Sequence, residues 1–155
     1  EPCMDYSVKR FMTRKIKSVS PEMNAHEALK MLVKAKTSGL PVLDKEGRLA
    51  GVFTEKEVLR AILPGYLHDV GMFAYGADSK SELRKLARLA RVKVRDIMRT
   101  EVPTLDEGAP LTEASHIMLT RGERRIVVLK KGVPVGVITR ADVVKALSKE
   151  AGVAL

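Results

Sequence analysis

The stretch that decides the fold is Gly51-Val52-Phe53-Thr54-Glu55-Lys56-Glu57, because the chain repeats it as Gly136-Val137-Ile138-Thr139-Arg140-Ala141-Asp142. Each copy follows a short apolar run, Pro41-Val42-Leu43 in the first case and Ile126-Val127-Val128 in the second. The two copies lie 85 residues apart, which is too long for a solenoid repeat. The sequence therefore predicts two copies of a small domain that complete each other's core, with a cleft between them as a natural place for a ligand.

The bulk composition is that of an ordinary globular chain. Of the 155 residues, 45% are hydrophobic and 30% are charged, which argues against disorder. No apolar run approaches the ~20 residues that span a bilayer. The chain has one cysteine, Cys3, which has no partner for an internal disulfide. We therefore expect a reducing, cytoplasmic compartment.

The charge of the chain predicts an anionic partner. The formal net charge is +9, which attracts nucleotides, nucleic acids and acidic proteins alike. Aromatic residues make up 4% of the chain and tryptophan is absent, which weakens the case for single-stranded nucleic acid, since such sites usually stack bases on aromatic rings.

Each repeat is predicted to run strand, helix, strand, strand, helix, as apolar periodicity and turn residues indicate. In the first repeat the strands are Ile16–Val19, Leu40–Leu43 and Leu49–Phe53, with helices starting near Ser20-Pro21-Glu22 and at Thr54. In the second repeat Ala114, Ile117 and Met118 lie on the first helix, Ile126–Leu129 and Val133–Ile138 are strands, and Val143, Val144 and Leu147 lie on the last helix.

A segment between the repeats, about Pro64–Val92, follows neither copy. Its aromatic residues Tyr66, Phe73 and Tyr75 favour packing over a ligand cage. Ser79-Lys80-Ser81-Glu82 is a capping box that predicts a helix. One face of this helix is basic, which favours a solvated surface, with docking of nucleic acid or an acidic partner as the alternative; its residues are Arg84, Lys85, Arg88 and Arg91.

The motif Gly-x-x-Thr-x-x-Asp at a strand-to-helix junction has two interpretations. A threonine that caps a helix presents its hydroxyl and backbone N–H groups to a phosphate, and an aspartate one turn later accepts hydrogen bonds from a ribose diol. Alternatively, Thr54 and Glu57 simply form a capping box that stabilises the start of a helix. The duplication of the motif favours the ligand-binding interpretation.

Four stretches of the chain resemble a tandem pair of CBS domains, also called a Bateman module. They are FMT…SVSPEMNAHEALKML at 11–32, SGLPVLDKEGRLAGVFTEKEVL at 38–59, DIMRTEVPTLDEGAPLTEASHIML at 96–119 and RRIVVLKKGVPVGVITRADVV at 124–144. The resemblance covers most of the chain, and the presence of the pattern in both halves makes it strong.

The resemblance implies an α+β fold of two β-α-β-β-α repeats packed as a pseudo-two-fold pair. The expected divisions are repeat 1 with its lead-in at 1–63, the insert at 64–93, and repeat 2 at 94–155. It further implies a non-catalytic module that regulates another protein, requires no cofactor, and binds AMP, ADP, ATP or S-adenosylmethionine. Members of this family commonly form homodimers through their helices, so we expect a homodimer that uses the exposed apolar positions of those helices and the aromatic insert.

The resemblance also implies two ligand sites, each built from both repeats. In the first, Asp142 holds the ribose and Thr139 the phosphate, and the other residues are Gly136, Val137, Arg140, Met12, Ile16, Lys17, Ser18, Thr37 and Ser38. The mirror site uses Thr54, Glu57, Val102, Pro103, Thr104 and Arg124. Glu57 stands where the family usually has aspartate, and its extra methylene intrudes on the space of a ribose, so we expect this site to be weak, empty or differently bound.

No catalytic or metal-binding set emerges from the sequence. His26 and His116 do not align between the repeats, and His68-Asp69 has no nucleophile nearby in sequence. No spacing of histidines or cysteines typical of a metal site occurs. Two other function classes stay open: a bare adaptor with vestigial clefts, and nucleic-acid binding through Arg84, Lys85, Arg88, Arg91, Arg95 and Arg99.

Overall fold

The computed structural model describes residues 5–62 and 87–153. Several sequence predictions lie outside the described residues: those for Cys3, His68-Asp69, the aromatic residues Tyr66, Phe73 and Tyr75, the capping box Ser79–Glu82, and the cations Arg84 and Lys85.

The chain folds into two compact units. The first-repeat unit comprises Lys17–Glu46 and the described residues of Ala50–Thr100. The second-repeat unit comprises the described residues up to Ile16, the short piece Gly47–Leu49, and the described residues from Glu101 onward. Each unit therefore contains one repeat together with the segment that precedes the other repeat in sequence, which we call the N-terminal lead-in (residues 5–16) and the middle lead-in (residues 87–100).

The first repeat consists of two helices around a two-stranded sheet. The order is α1 (Ala25–Lys34), β1 (Gly39–Leu43), β2 (Leu49–Thr54) and α2 (Glu55–Ile62). The predicted strand Ile16–Val19 is wrong as a regular strand, because only Val19 pairs, in parallel, with Val42 of β1. The first helix begins later than Ser20-Pro21-Glu22, because Asn24 caps it by accepting a hydrogen bond from the His26 N–H at 2.9 Å.

The second repeat keeps all five predicted elements. A short helix α3 (Val94–Ile97) in the middle lead-in precedes β3 (Thr104–Asp106), α4 (Leu111–Arg121), β4 (Arg125–Lys130), β5 (Val133–Thr139) and α5 (Arg140–Glu150). Strand β3 runs parallel to β4, and β5 runs antiparallel to β4 with Ile126 opposite Ile138. The α+β class and the two repeats are thus confirmed.

Each unit has its own hydrophobic core, and each core includes a lead-in. Val8 and Met12 of the N-terminal lead-in are buried with Leu111, Ile126 and Ile138 of the second repeat. In the first-repeat unit, Leu89 and Val94 of the middle lead-in are buried in the same way with Val19, Leu32 and Phe53. Since burying one such side chain contributes about 1.5–3 kcal/mol, the lead-ins are structural parts of the units that contain them.

The equivalent helices α1 and α4 end differently, because the residue with positive φ that follows the helix is a lysine in one case and a glycine in the other. Lys36 follows α1 with φ +52°, and its N–H bonds to the Val33 carbonyl at 3.1 Å, a helix ending that usually has glycine. Gly122 follows α4 at the equivalent position with φ +66°. A side chain in this left-handed region is strained, and glycine is not.

We therefore expect Lys36→Gly to raise the free energy of unfolding by roughly 0.5–1 kcal/mol, because relief of strain outweighs the extra freedom of glycine in the unfolded chain. The reciprocal change, Gly122→Lys, should lower it by about 1 kcal/mol. Urea unfolding followed by circular dichroism measures both. A Lys36→Gly variant less stable than wild type would show that Lys36 is held by contacts that outweigh its strain.

Candidate functional site

The junction of β5 and α5 is a complete capping box. Thr139 caps the helix: its hydroxyl oxygen accepts a hydrogen bond from the Asp142 N–H at 3.1 Å. In return, Oδ2 of Asp142 accepts a hydrogen bond from the Thr139 N–H at 2.9 Å. The Asp142 side chain is half-buried. Because a carboxylate has about four acceptor positions, Asp142 keeps capacity on Oδ1 for the hydroxyls of a ligand.

The equivalent junction of the first repeat uses its carboxylate differently. Oε2 of Glu57 accepts hydrogen bonds from both the N–H and the hydroxyl of Thr54, the former at 3.1 Å. Its other oxygen, Oε1, pairs with Arg60 at 3.4 Å. The Glu57 side chain is 5% exposed. Both oxygens of this carboxylate are therefore engaged, one by the last residue of β2 and the other by Arg60 of α2.

The same type of backbone hydrogen bond is present at both junctions. The Arg140 N–H donates to the Arg124 carbonyl at 3.0 Å, and the Glu55 N–H donates to the Ser38 carbonyl at 3.1 Å. In each repeat, the residue before the first strand of the hairpin is thereby held beside the first residue of the helix that follows the hairpin. The two junctions thus share a backbone geometry but differ in the side chains that they present.

A glycine before each junction allows the backbone of a lead-in to approach closely. Thr13 pairs with Val137 by two backbone hydrogen bonds of 2.9 and 3.0 Å, and a Cβ added to Gly136 would lie 2.9 Å from the Thr13 carbonyl oxygen and against Met12. Gly51 stands in the same relation to the middle lead-in, since a Cβ there would lie 2.5 Å from the Arg99 carbonyl oxygen. The glycines are therefore needed for the close approach of a neighbouring backbone.

The predicted site residues divide between the two units. The second-repeat unit brings together seven of them around the Thr139–Asp142 junction or the strands that lead to it: Met12, Gly136, Val137, Thr139, Arg140, Asp142 and Arg124. The same unit holds Ile16, Val102 and Pro103, all half-buried, and Thr104 at the start of β3. The first-repeat unit holds Lys17, Ser18, Thr37 and Ser38 with Thr54 and Glu57.

The basic surface that the sequence indicated is partly neutralised. Glu22 pairs with Lys93 and with Arg95, each at 2.8 Å. The hydrogen bond from Lys93 is the main cause of a pKa of Glu22 below its usual range, and the charge of Arg95 lowers it further. Arg88 and Arg91 are exposed. Sequence reasoning missed Glu22, because it lies 71 residues before Lys93 in the chain.

Other classes of site find no support in the described part of the chain. Residues 5–62 and 87–153 contain no cluster of histidine, cysteine and carboxylate side chains fit to hold a metal ion. His26 is half-buried on α1 and His116 is exposed on α4. Among these same residues no helix is both long enough and apolar enough to cross a membrane.

Known proteins share both the sequence pattern and the fold. The family profile of the CBS domain matches residues 8–64 and 94–149. The CBS domain-containing protein DDB_G0289609 of Dictyostelium discoideum is 29% identical over 147 residues, which are 94% of each chain. The chloroplastic protein CBSX2 of Arabidopsis thaliana is 32% identical over 151 residues, 91% of this chain and 63% of that protein.

Solved structures of CBSX2 superpose on the fold. One covers 97% of this chain and all of its own, with a TM-score of 0.77 at 27% identity. A second, of CBSX2 in complex with AMP, covers 94% of this chain and 98% of its own, with a TM-score of 0.72 at 28% identity.

The paired Glu22 sets a pH dependence. Since the folded pKa is lowered, the unfolded chain binds the proton more readily, and the stability from Glu22 is present above the unfolded pKa of about 4.3 and lost as the pH falls through the folded pKa. Wild type should exceed Glu22→Gln in melting temperature at pH 7, and the difference should shrink below about pH 4.3. Glu46→Gln, which removes an exposed turn glutamate, is the control for charge. A difference for Glu22→Gln that stays constant from pH 7 to pH 3 would contradict the pairing.

Proposed function

Because the chain belongs to the CBS-domain family, of which it carries two tandem copies, we propose that it is a non-catalytic regulatory module that binds an adenosine-containing nucleotide. The candidates are AMP, ADP, ATP and S-adenosylmethionine, which share the ribose diol to which a single carboxylate is able to bind. The proposal includes a cytoplasmic location and a separate, regulated protein. The divisions 1–63, 64–93 and 94–155 are proposed as repeat 1, insert and repeat 2.

The observation that carries the proposal is the state of the Asp142 carboxylate. One of its oxygens caps α5, which fixes the side chain in place, and the other has capacity for the vicinal hydroxyls of a ribose. A carboxylate that is already held by the protein loses little rotational freedom when a ligand binds. The complex of the similar protein CBSX2 with AMP supports an adenosine nucleotide as the ligand class.

The surrounding residues follow from the family resemblance and stay proposals. On the side of Asp142, Thr139 and Arg140 face the phosphate, and the other contacts come from Gly136, Val137, Met12 and Ile16. The residues of the first-repeat unit that the resemblance assigns to the same ligand are Lys17, Ser18, Thr37 and Ser38.

The mirror site is proposed to be weak. Its residues are Thr54, Glu57, Val102, Pro103, Thr104 and Arg124. Both oxygens of Glu57 are engaged, by Thr54 and by Arg60, so a ribose would have to displace existing bonds. Breaking a hydrogen bond to a buried charge costs on the order of 1.5–3 kcal/mol, which reduces affinity by about tenfold or more. The expected stoichiometry is one nucleotide per chain.

Regulation follows from differential binding. A ligand that fits one conformation of the protein better than another shifts the population toward it by the difference in binding free energy. The nucleic-acid alternative has less support, because Glu22 already pairs with Arg95 of the basic surface and with the neighbouring Lys93. No observation specific to this chain favours the adaptor alternative.

Asp142→Ala should abolish nucleotide binding, because no other residue of α5 replaces a carboxylate at that position. Isothermal titration with AMP, ADP, ATP and S-adenosylmethionine measures affinity and stoichiometry. Glu57→Ala is the matched control, since it removes the capping carboxylate of the equivalent helix, and it should leave binding at one site per chain. Asp142→Asn, which keeps a cap acceptor, separates loss of binding from loss of folding. Unchanged binding in both Asp142 variants would contradict the site.

The homodimer is proposed to form through the repeat helices. Val33 of α1 and Leu119 of α4 occupy equivalent positions, as do Leu59 of α2 and Val144 of α5, and each of the four is more than half exposed. In the second-repeat unit α4 packs beside α5, which places two of these residues on neighbouring helices. An apolar side chain repeated at equivalent exposed positions indicates a contact surface, because scattered exposure would not follow the repeat.

A double change Leu119→Glu with Val144→Glu should convert the dimer to a monomer, since two buried carboxylates per chain would lack partners. Light scattering coupled to size exclusion measures the mass. The control is Thr120→Glu with Lys145→Glu, on exposed residues next in sequence on the same helices. A wild-type chain that is monomeric at about 100 µM, well above the micromolar dissociation constants of moderate complexes, would contradict the proposed dimer.

A further inference from the structure

The two lead-ins have equivalent backbone contacts and opposite charge. The Lys9 N–H donates to the Glu107 carbonyl at 3.2 Å, as the Arg95 N–H donates to the Pro21 carbonyl at 3.0 Å, so residues of the two lead-ins correspond at a constant offset. The four cations of the N-terminal lead-in correspond to one cation, one threonine and two carboxylates. The N-terminal residues are Lys9, Arg10, Arg14 and Lys15, and their counterparts in and just after the middle lead-in are Arg95, Asp96, Thr100 and Glu101.

No ion pair neutralises the cations of the N-terminal lead-in. In the first-repeat unit Arg95 pairs with Glu22 at 2.8 Å, but the counterpart of Glu22 in the second repeat is Gly108, so Lys9 has no such partner. All four cations are exposed, and among residues 5–62 and 87–153 none of them is ion-paired with a carboxylate. The fold does not require this charge, because the middle lead-in enters its own core without it.

Asp5 is the one carboxylate of the lead-in, and it offsets the charge in part. Hydrogen bonds from Ser7 are the main cause of a pKa of Asp5 below its usual range, and the charges of Lys9 and Arg10 lower it further. Four cations against one carboxylate leave residues 5–16 with a net charge of +3.

Two backbone carbonyls hold the arginines of this surface. Nη1 of Arg10 donates to the Asp5 carbonyl at 3.1 Å, and its guanidinium lies 5.8 Å from the centre of the Phe11 ring. Nη2 of Arg14 donates to the Lys9 carbonyl at 3.1 Å, which places a second guanidinium against the backbone of Lys9. Because a guanidinium has five N–H groups, one bond to a carbonyl leaves the others for an anion. Like charges are thus gathered and partly oriented on one short segment.

From this uncompensated charge we propose that the N-terminal lead-in is a docking surface for a nucleic-acid duplex, which it binds through the phosphates without reading the sequence. A duplex carries one negative charge per about 1.7 Å of its axis, so four clustered cations meet phosphates in any register. The ring between these cations, Phe11, is half-buried beside Arg10 and offers no platform for an unpaired base, which favours a duplex over a single strand. This surface is distinct from the basic surface on which Glu22 pairs with Arg95.

Two other anionic partners fit this surface less well. Peripheral attachment to a bilayer uses apolar side chains that enter it, but Val8 and Met12 of this segment are buried in the core. An acidic protein needs carboxylates at matching positions, whereas the phosphates of a duplex repeat regularly. A guanidinium also forms two parallel hydrogen bonds to a phosphate, which suits Arg10 and Arg14.

The test measures binding of a labelled DNA duplex of arbitrary sequence by fluorescence anisotropy over a range of salt concentrations. If each of the four cations contacts one phosphate, their contribution to the slope of log affinity against log salt concentration is about −3.6. The quadruple variant should lose about that much of the slope; its changes are Lys9→Gln, Arg10→Gln, Arg14→Gln and Lys15→Gln. Arg14→Gln alone should reduce the slope by about one.

The matched control removes four exposed lysines outside the lead-in: Lys34→Gln, Lys45→Gln, Lys145→Gln and Lys149→Gln. It has the same net charge as the quadruple variant and should keep the wild-type slope. An equal loss of slope in both would overturn the proposal, because net charge and not the lead-in would then govern binding.

A second variant, Arg10→Asp with Lys15→Glu, separates loss of binding from loss of folding. It introduces the residue types that the chain already carries at the equivalent positions, Asp96 and Glu101. It should keep the melting temperature of wild type and bind the duplex more weakly than Arg14→Gln does.

The identity of the partner is tested by two competitors. Wild type should bind the duplex more tightly than it binds vesicles of phosphatidylserine or polyglutamate. Tighter binding to either of these would overturn nucleic acid as the partner. Absence of duplex binding at about 100 µM protein and about 50 mM salt would overturn the docking surface itself, since non-specific sites have dissociation constants of about 1–100 µM even at physiological salt.

Discussion

The close approach of a lead-in backbone to one glycine is the constraint on which both units depend. At Gly136 and at Gly51 a carbonyl oxygen of the lead-in lies only 2.9 and 2.5 Å from where a Cβ would stand, and the adjacent residue pairs with the lead-in by two backbone hydrogen bonds. The lead-in residue next to each pair of bonds contributes to a core: Met12 is buried in one, and Met98 packs against the other. Neither repeat would bury its sheet fully without a segment that precedes the other repeat in the chain.

The motif Gly-x-x-Thr-x-x-Asp, which has Glu in place of Asp in the first repeat, therefore has structural roles in addition to its proposed role in ligand binding. Its glycine allows the backbone of the lead-in to approach closely, its threonine lies at the start of a helix, and its carboxylate completes the capping box. Only what remains after these bonds is available to a ligand. The short side chain of Asp142 accepts a hydrogen bond from the Thr139 N–H on Oδ2, which leaves Oδ1 available to a ligand. The longer side chain of Glu57 contacts both Thr54 and Arg60 and uses both of its oxygens. The longer side chain of Glu57, together with Arg60, thus leaves this carboxylate fewer free acceptor positions than Asp142 has.

Duplication makes this divergence visible, because each repeat serves as the reference for the other. The backbone hydrogen bond that links Ser38 to Glu55 also links Arg124 to Arg140, so the differences in charge lie in the side chains and not in the fold. The same comparison sets Lys36 beside Gly122, and the exposed Val33 beside Leu119. The glycine that the lead-in approaches is the same in both copies, Gly51 and Gly136, whereas the residues joined by the backbone bond at each junction differ in charge.

The sequence by itself determined the family, the α+β class, the existence of two repeats and the junction at which the chemistry is proposed to reside. It did so because these depend on local patterns: apolar periodicity, turn residues and a capping motif repeated at a fixed distance. Only the tertiary structure decided that Ile16–Val19 forms one bridge and not a strand, that Glu57 is engaged on both oxygens, and that Glu22 pairs with both Lys93 and Arg95. The pairing of Glu22 depends on residues distant in sequence, and the state of Glu57 on side-chain reach and burial, neither of which the spacing of residue types along a chain records.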